Sequence, residues 1–105
     1  MIKLTVLYGQ PKDPAGFERY YLDVHTPIAL KVKGLSRFEI AKVSGTADGK
    51  PAPYYRTADL YFDDAAAMQS ALGSPEGQAA AADIGNFASG GVALMICDVQ
   101  VLSSR

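Results

Sequence analysis

Tryptophan is absent from this sequence, and histidine and cysteine each occur once. The missing tryptophan disfavours a tryptophan-dependent haem-degrading site. A lone thiol, Cys97, cannot close an internal disulfide, and inside the apolar run VALMICDVQVL it reads as a small buried hydrophobe rather than a reactive group. One histidine and one cysteine make no spaced ligand set for a transition metal, so neither a metal nor any other cofactor is expected. A glycine-rich phosphate loop and the GxSxG pattern are missing too. Charge of one sign is also lacking: 10 Lys and Arg stand against 11 Asp and Glu, for a net charge of −1, with the basic residues scattered. Nucleic-acid binding needs a concentrated basic face, so that class is set aside. No apolar run approaches the ~18 residues of a membrane span. The opening MIKLTVLYGQP is too short and too alternating for a signal peptide. A soluble cytoplasmic protein is expected.

What is present is an ordinary globular balance, 49% hydrophobic and 20% charged over 105 residues. That length is one domain, 1–105, able to bury roughly two thirds of its unfolded surface. IKLTVLY (2–8) is β-branched and apolar, then stopped by Gly9 and Pro11, and reads as a strand. Asp13 is suited to N-cap a helix with Pro14 at its first position. From there Phe17, Tyr21, Val24 and Ile28 recur at helical spacing, and Gly34 ends the element. LSRFEIAKVSG (35–45) alternates as a second strand. The Gly-, Asp- and Pro-containing segment that follows is a loop, expected at a cavity mouth or a dimer edge. TADLYF (57–62) is a third strand. Asp63 or Asp64 caps an alanine-rich helix ended by Gly73, and Ser74 with Pro75 starts another. GVALMICDVQVL (91–102) closes as a fourth strand.

The order β-α-β-β-α-β, with right-handed crossovers, predicts an α+β, ferredoxin-like split βαβ sheet with its helices on one face. Ile2, Leu4, Val6, Phe38, Ile40, Leu60 and Phe62 form an apolar face for those helices. The opposite face carries Thr5, Leu7, Glu39, Ala41, Val43, Asp59 and Tyr61, with Met95, Cys97, Val99 and Val101. It is too apolar to be left wet and too polar for a plain core. A second copy stacked face to face covers it, making a homodimer with a cavity between the sheets.

Within YYLDVHTPIA, His25 falls on the flank of the apolar helical stripe, four residues after Tyr21. Pro27 disfavours helical geometry at Thr26, so a break or kink is expected just past the histidine. Two roles fit. His25 can be a helix-end residue favoured by the helix dipole. It can also be a general acid or base beside a pocket, oriented by Tyr21, since histidine is the side chain that ordinarily changes charge near neutral pH. Glu39 and Asp59, on the open face, either meet Arg37, Lys42 or Arg56 as rim ion pairs or line the enclosed cavity. Thr5 and Tyr61 are hydroxyl donors on the same face.

The sequence Tyr21-x-x-x-His25-x-Pro27 after an N-terminal strand resembles the signature of the EthD family, named for ethyl tert-butyl ether degradation. SPEGQAAAADIGNFASGGV (74–92) is similar to the second hallmark of its bacterial members, and VLYGQPKDPAGFERYYLDVHTPIA resembles them as well. The likeness implies a dimeric α/β barrel and strengthens a functional reading of His25 and Tyr21. The wider superfamily implies a small apolar, cyclic or aromatic ligand. It also implies a cofactor-independent isomerase, decarboxylase or cyclase with His25 as acid or base. The alternatives are a non-catalytic accessory protein of a monooxygenase system, or a cofactor-free monooxygenase. Thr5, Glu39, Asp59 and Tyr61 are the expected substrate-binding set.

Overall fold

In a computed structural model that describes residues 1–105, the first strand, β1 (Ile2–Gly9), lies inside a four-stranded sheet. It pairs antiparallel with β3 (Tyr54–Phe62) on one side and β4 (Val92–Asp98) on the other, and β2 (Arg37–Lys42) completes the order β2-β3-β1-β4. This is the ferredoxin-like arrangement. Alternation along the strands does the sorting. Val6, Tyr8, Ala58, Leu60 and Phe62 are buried beneath the helices, with Ile2, Leu4 and Phe38 packed against them. Ile40 is exposed on its edge strand.

β4 is shorter than its apolar run. Asp98 pairs with Ile2, and Val99 makes one more bond, to the carbonyl of Met1. Beyond that point β1 offers no backbone to pair with, so Val101 and Leu102 are exposed rather than part of the sheet face. Cys97 sits half-buried on the open face, 3.8 Å from the Thr5 hydroxyl. In the 45–53 loop Thr46 Oγ1 donates to the Lys50 carbonyl at 2.6 Å, and from outside it Gln10 Nε2 donates to the Ala52 carbonyl at 3.0 Å.

The first helical segment opens as α1 (Pro14–Tyr20), with the Asp13 side chain accepting from Gly16 N. It does not break at Pro27. Instead the backbone widens into a π-helical turn (Tyr21–His25) and runs on as α2 (Thr26–Ala29). Thr26 N–H donates to the Tyr21 carbonyl, five residues back. The next donor in that pattern would be residue 27, a proline, which has no N–H. The carbonyl of Leu22 takes the Thr26 hydroxyl instead, at 2.9 Å. A kink is unnecessary because a side chain replaces the missing backbone donor.

Two short helices, α3 (Ala65–Gly73) and α4 (Pro75–Asp83), follow β3, capped by Asp64 and Ser74. Their junction is tight: a Cβ on Gly77 would lie 2.2 Å from the Ala71 carbonyl oxygen. That backbone cannot yield cheaply, so glycine is required there. Gly77→Ala should cost about 1–3 kcal/mol through overpacking. Chemical denaturation should show the midpoint lowered at an unchanged slope.

Candidate functional site

An acidic residue at the C-terminal end of a helix is unfavourable, because the helix dipole is negative there. Asp83 ends α4 in that position and is buried as well. Donors from three elements compensate. The Tyr20 hydroxyl donates to Oδ1 at 2.6 Å, Asn86 Nδ2 donates to Oδ1 at 3.0 Å, and His25 Nδ1 lies 2.9 Å from Oδ2. Burial alone would raise the carboxyl's pKa. The hydrogen bonds from Tyr20, Asn86 and His25 outweigh it, so the pKa lies below the usual value and Asp83 is ionised near neutrality.

That charge fixes the tautomer of the histidine. An ionised carboxylate can only accept, so Nδ1 of His25 carries the shared proton, and whenever the ring is neutral its lone pair is on Nε2. The ring is held flat against Tyr21, with centroids 5.8 Å and planes 17° apart, and lies 4.6 Å from the Phe87 centroid. His25 is 6% exposed. No fully buried side-chain nitrogen or oxygen lacks a partner, and Nε2 makes no hydrogen bond, so it opens to accessible space.

His25 lines a cavity of about 70 Å³ between the sheet, α2 and α4. Of its 16 lining residues 14 are hydrophobic, leaving only His25 and Gly77. Leu4, Val6, Leu60, Ala80 and Ile84 form its walls, and Leu94, 53% exposed, marks its open side at the β4 edge. Enclosed sites for large ligands run to ~300–1,000 Å³, so this one is sized for a small molecule or a fragment of a larger one.

The expected site residues fall into two sets. His25 and Tyr21 both line the cavity, but Asp83 rather than Tyr21 engages Nδ1, and Tyr21 supports the ring by stacking. Thr5, Glu39, Asp59 and Tyr61 do come together, on the opposite face of the sheet. Thr5 donates to Asp59 at 2.7 Å and Lys3 sits 3.2 Å from the same carboxylate. Tyr61 donates to Glu39 at 3.0 Å, and Arg37 bonds Glu39 through Nε at 2.9 Å and Nη2 at 2.6 Å. Arg56 and Lys42 point to the helix side, where Arg56 holds Glu18 in a fork at 3.0 and 2.8 Å. The cavity that His25 lines lies within one chain, on the helix side of the sheet, and the 45–53 loop does not line it. Reading the sequence missed Asp83 and Tyr8. For Asp83 a signal exists: in AAAADIGNF it is the single charge, at the helix end that repels it.

These features define a class: a ferredoxin-like α+β domain with a His–Asp pair facing a small apolar cavity. The EthD domain model matches residues 9–91, and the chain belongs to the EthD family. It is 40% identical over 102 residues to an uncharacterized 11.0 kDa protein from the thcB–thcC intergenic region of Rhodococcus erythropolis, covering 97% of this chain and 98% of that one. An EthD family protein from Bacillus halodurans superposes with a TM-score of 0.90 at 32% identity, over 95% of this chain and 99% of that one. A cofactor-independent oxygenase from Streptomyces nogalater, SnoaB, shares the fold at 14% identity, with a TM-score of 0.69 over 98% and 97% of the two chains. No helix is long and apolar enough to cross a membrane.

Asp83→Asn should lower stability at pH 7 by about 1–2 kcal/mol, through loss of charge-assisted bonds between buried groups. A carboxyl whose folded pKa is depressed contributes stability above its unfolded value, here 3.8, and loses it as pH falls through the folded value. The gap between wild type and variant should therefore shrink below pH 3.8, as urea unfolding across pH would show.

Proposed function

We propose that this chain is a small-molecule-binding homodimer in which His25 transfers protons, without a cofactor, on a small apolar or cyclic compound. The observation that carries this reading is the His25 geometry: Nδ1 bonded to the Asp83 carboxylate at 2.9 Å and Nε2 left without a protein partner, in a residue that lines an apolar cavity. Asp83 holds the ring in the tautomer whose Nε2 accepts a proton, and stabilises the imidazolium once it forms. The hydrophobic walls keep bulk water from competing for that proton and strengthen local electrostatics. Isomerisation and cyclisation through an enolate use such a base, decarboxylation uses the imidazolium as the acid that protonates the carbanion left behind, and His25 can serve in either form.

The homodimer rests on the open sheet face. Leu7, Ala93 and the exposed Met95 lie there beside the Thr5–Asp59 and Tyr61–Glu39 pairs, with no helix over them. A second sheet covers this surface, and Thr5, Glu39, Asp59 and Tyr61 then lie between the two sheets, where they line any inter-sheet space. Light scattering at micromolar concentration should give a dimer mass. A stable monomer would overturn the assembly.

An accessory role, sequestering a ligand for a monooxygenase system, is favoured by the apolar lining itself, which binds without reacting. His25→Gln separates the two. Mass spectrometry of bound small molecules would first supply the ligand. Glutamine keeps the size and hydrogen-bonding ability but cannot act as the base, so turnover should fall by at least ~100-fold while the dimer persists. Unchanged turnover, or a wild type that binds and converts nothing, rules out the catalytic reading. Oxygen consumption would instead point to a cofactor-free monooxygenase.

A further inference from the structure

The hydroxyls of Tyr8 and Tyr21 are unaccounted for by the fold. Both residues are 1% exposed, and both line the cavity. Their rings meet edge to face, with centroids 5.3 Å apart, and Tyr21 in turn stacks on His25. A buried tyrosine ordinarily finds a partner for its hydroxyl. Neither of these donates to or accepts from any protein group, yet no sealed polar atom is left without a partner. What little surface the two residues keep therefore includes the hydroxyl, and both residues line the cavity they share with His25. Two idle donors in an apolar cavity are costly for the fold alone, which points to a ligand that satisfies them.

We infer that the Tyr8 and Tyr21 hydroxyls form a paired binding site for one ligand oxygen, and that the ligand is a small, otherwise apolar carbonyl compound. This rests on the reading of His25 as a base. Burial raises both phenols, Tyr21 to about 12 and Tyr8 further still, so both remain donors near neutrality. His25 Nε2 takes the proton from the carbon beside the carbonyl. The C–H electron pair becomes a C=C bond, the C=O pair moves onto oxygen, and the phenols hold the resulting enolate by hydrogen bonds. Return of the proton from Nε2 to the same carbon restores the ketone. Where a further C=C is conjugated, return to its far end gives the isomer. No electron or atom is lost in either path. The cavity thus selects on two counts: apolar walls reject charge, and the phenols reject a pure hydrocarbon, because binding one would leave them unpaired.

The test compares cyclohexanone with methylenecyclohexane, which has the same shape but carries =CH2 in place of =O, on the intact protein. NMR titration should show the ketone binding about tenfold tighter. The infrared band of the bound carbonyl should move to lower frequency. Tyr8→Phe and Tyr21→Phe should each reduce the preference and the band shift, weakening ketone binding while hydrocarbon binding tightens because no phenol is left unpaired, a pattern that a merely structural tyrosine would not produce. No ketone binding, no preference, or a preference that survives both substitutions overturns the inference. Deuterium uptake beside the carbonyl in heavy water reads the base separately. Ketone preference without His25-dependent exchange defeats the proton-transfer function and leaves the oxygen site standing. Exchange that depends on His25 but not on either tyrosine defeats the oxygen site alone.

Discussion

The buried carboxylate of Asp83 is the constraint on which the candidate site depends. A charge out of water at the negative end of a helix is tolerated only where donors converge on it, and here they come from three separate elements. Tyr20 arrives from α1, His25 from the π-helical turn and Asn86 from the turn after α4. The same bonds that make the carboxylate tolerable tie α4 to the first helical segment and set the tautomer of the ring. Stability and site geometry are therefore one arrangement, and a change at Asp83 is felt in both.

The π-helical turn contributes the other half of that geometry. Thr26 and Pro27 force the ladder to open by one residue, and the Thr26 hydroxyl satisfies the carbonyl left over. The extra residue changes where the following side chains emerge, and His25, at the end of the turn, comes out buried against Tyr21 and Phe87 with one nitrogen on Asp83. Such turns often sit at functional sites for this reason: they redirect a side chain without ending the helix.

The sheet separates two jobs. Its helix-covered face carries the aromatic cluster of Tyr8, Phe17, Tyr21 and Phe87 and the cavity beside it. Its open face carries satisfied ion pairs and hydroxyls among apolar side chains, the mixture expected of an interface rather than of a core. Period-two alternation guarantees that residues one apart, such as Thr5 and Val6, serve opposite sides. No side chain can take part in both.

Strand and helix identities, the caps at Asp13, Asp64 and Ser74, the α+β order and the sorting of each strand into two faces were legible in the sequence, because they rest on local spacing and on residues whose backbone preferences are strong. The suspicion attached to His25 and Tyr21 was legible too, from their position on the helical stripe. Which face holds the cavity was not, since alternation distinguishes two sides without saying which side is filled. The partner of His25 was equally hidden: Asp83 lies 58 residues away along the chain, and only the docking of α4 on the first helical segment brings the two within 2.9 Å. The end of β4 also waited on the fold, because a strand stops where its neighbour stops and not where its own apolar run ends. Local chemistry set the pieces, and contacts between residues distant in the chain decided what they became.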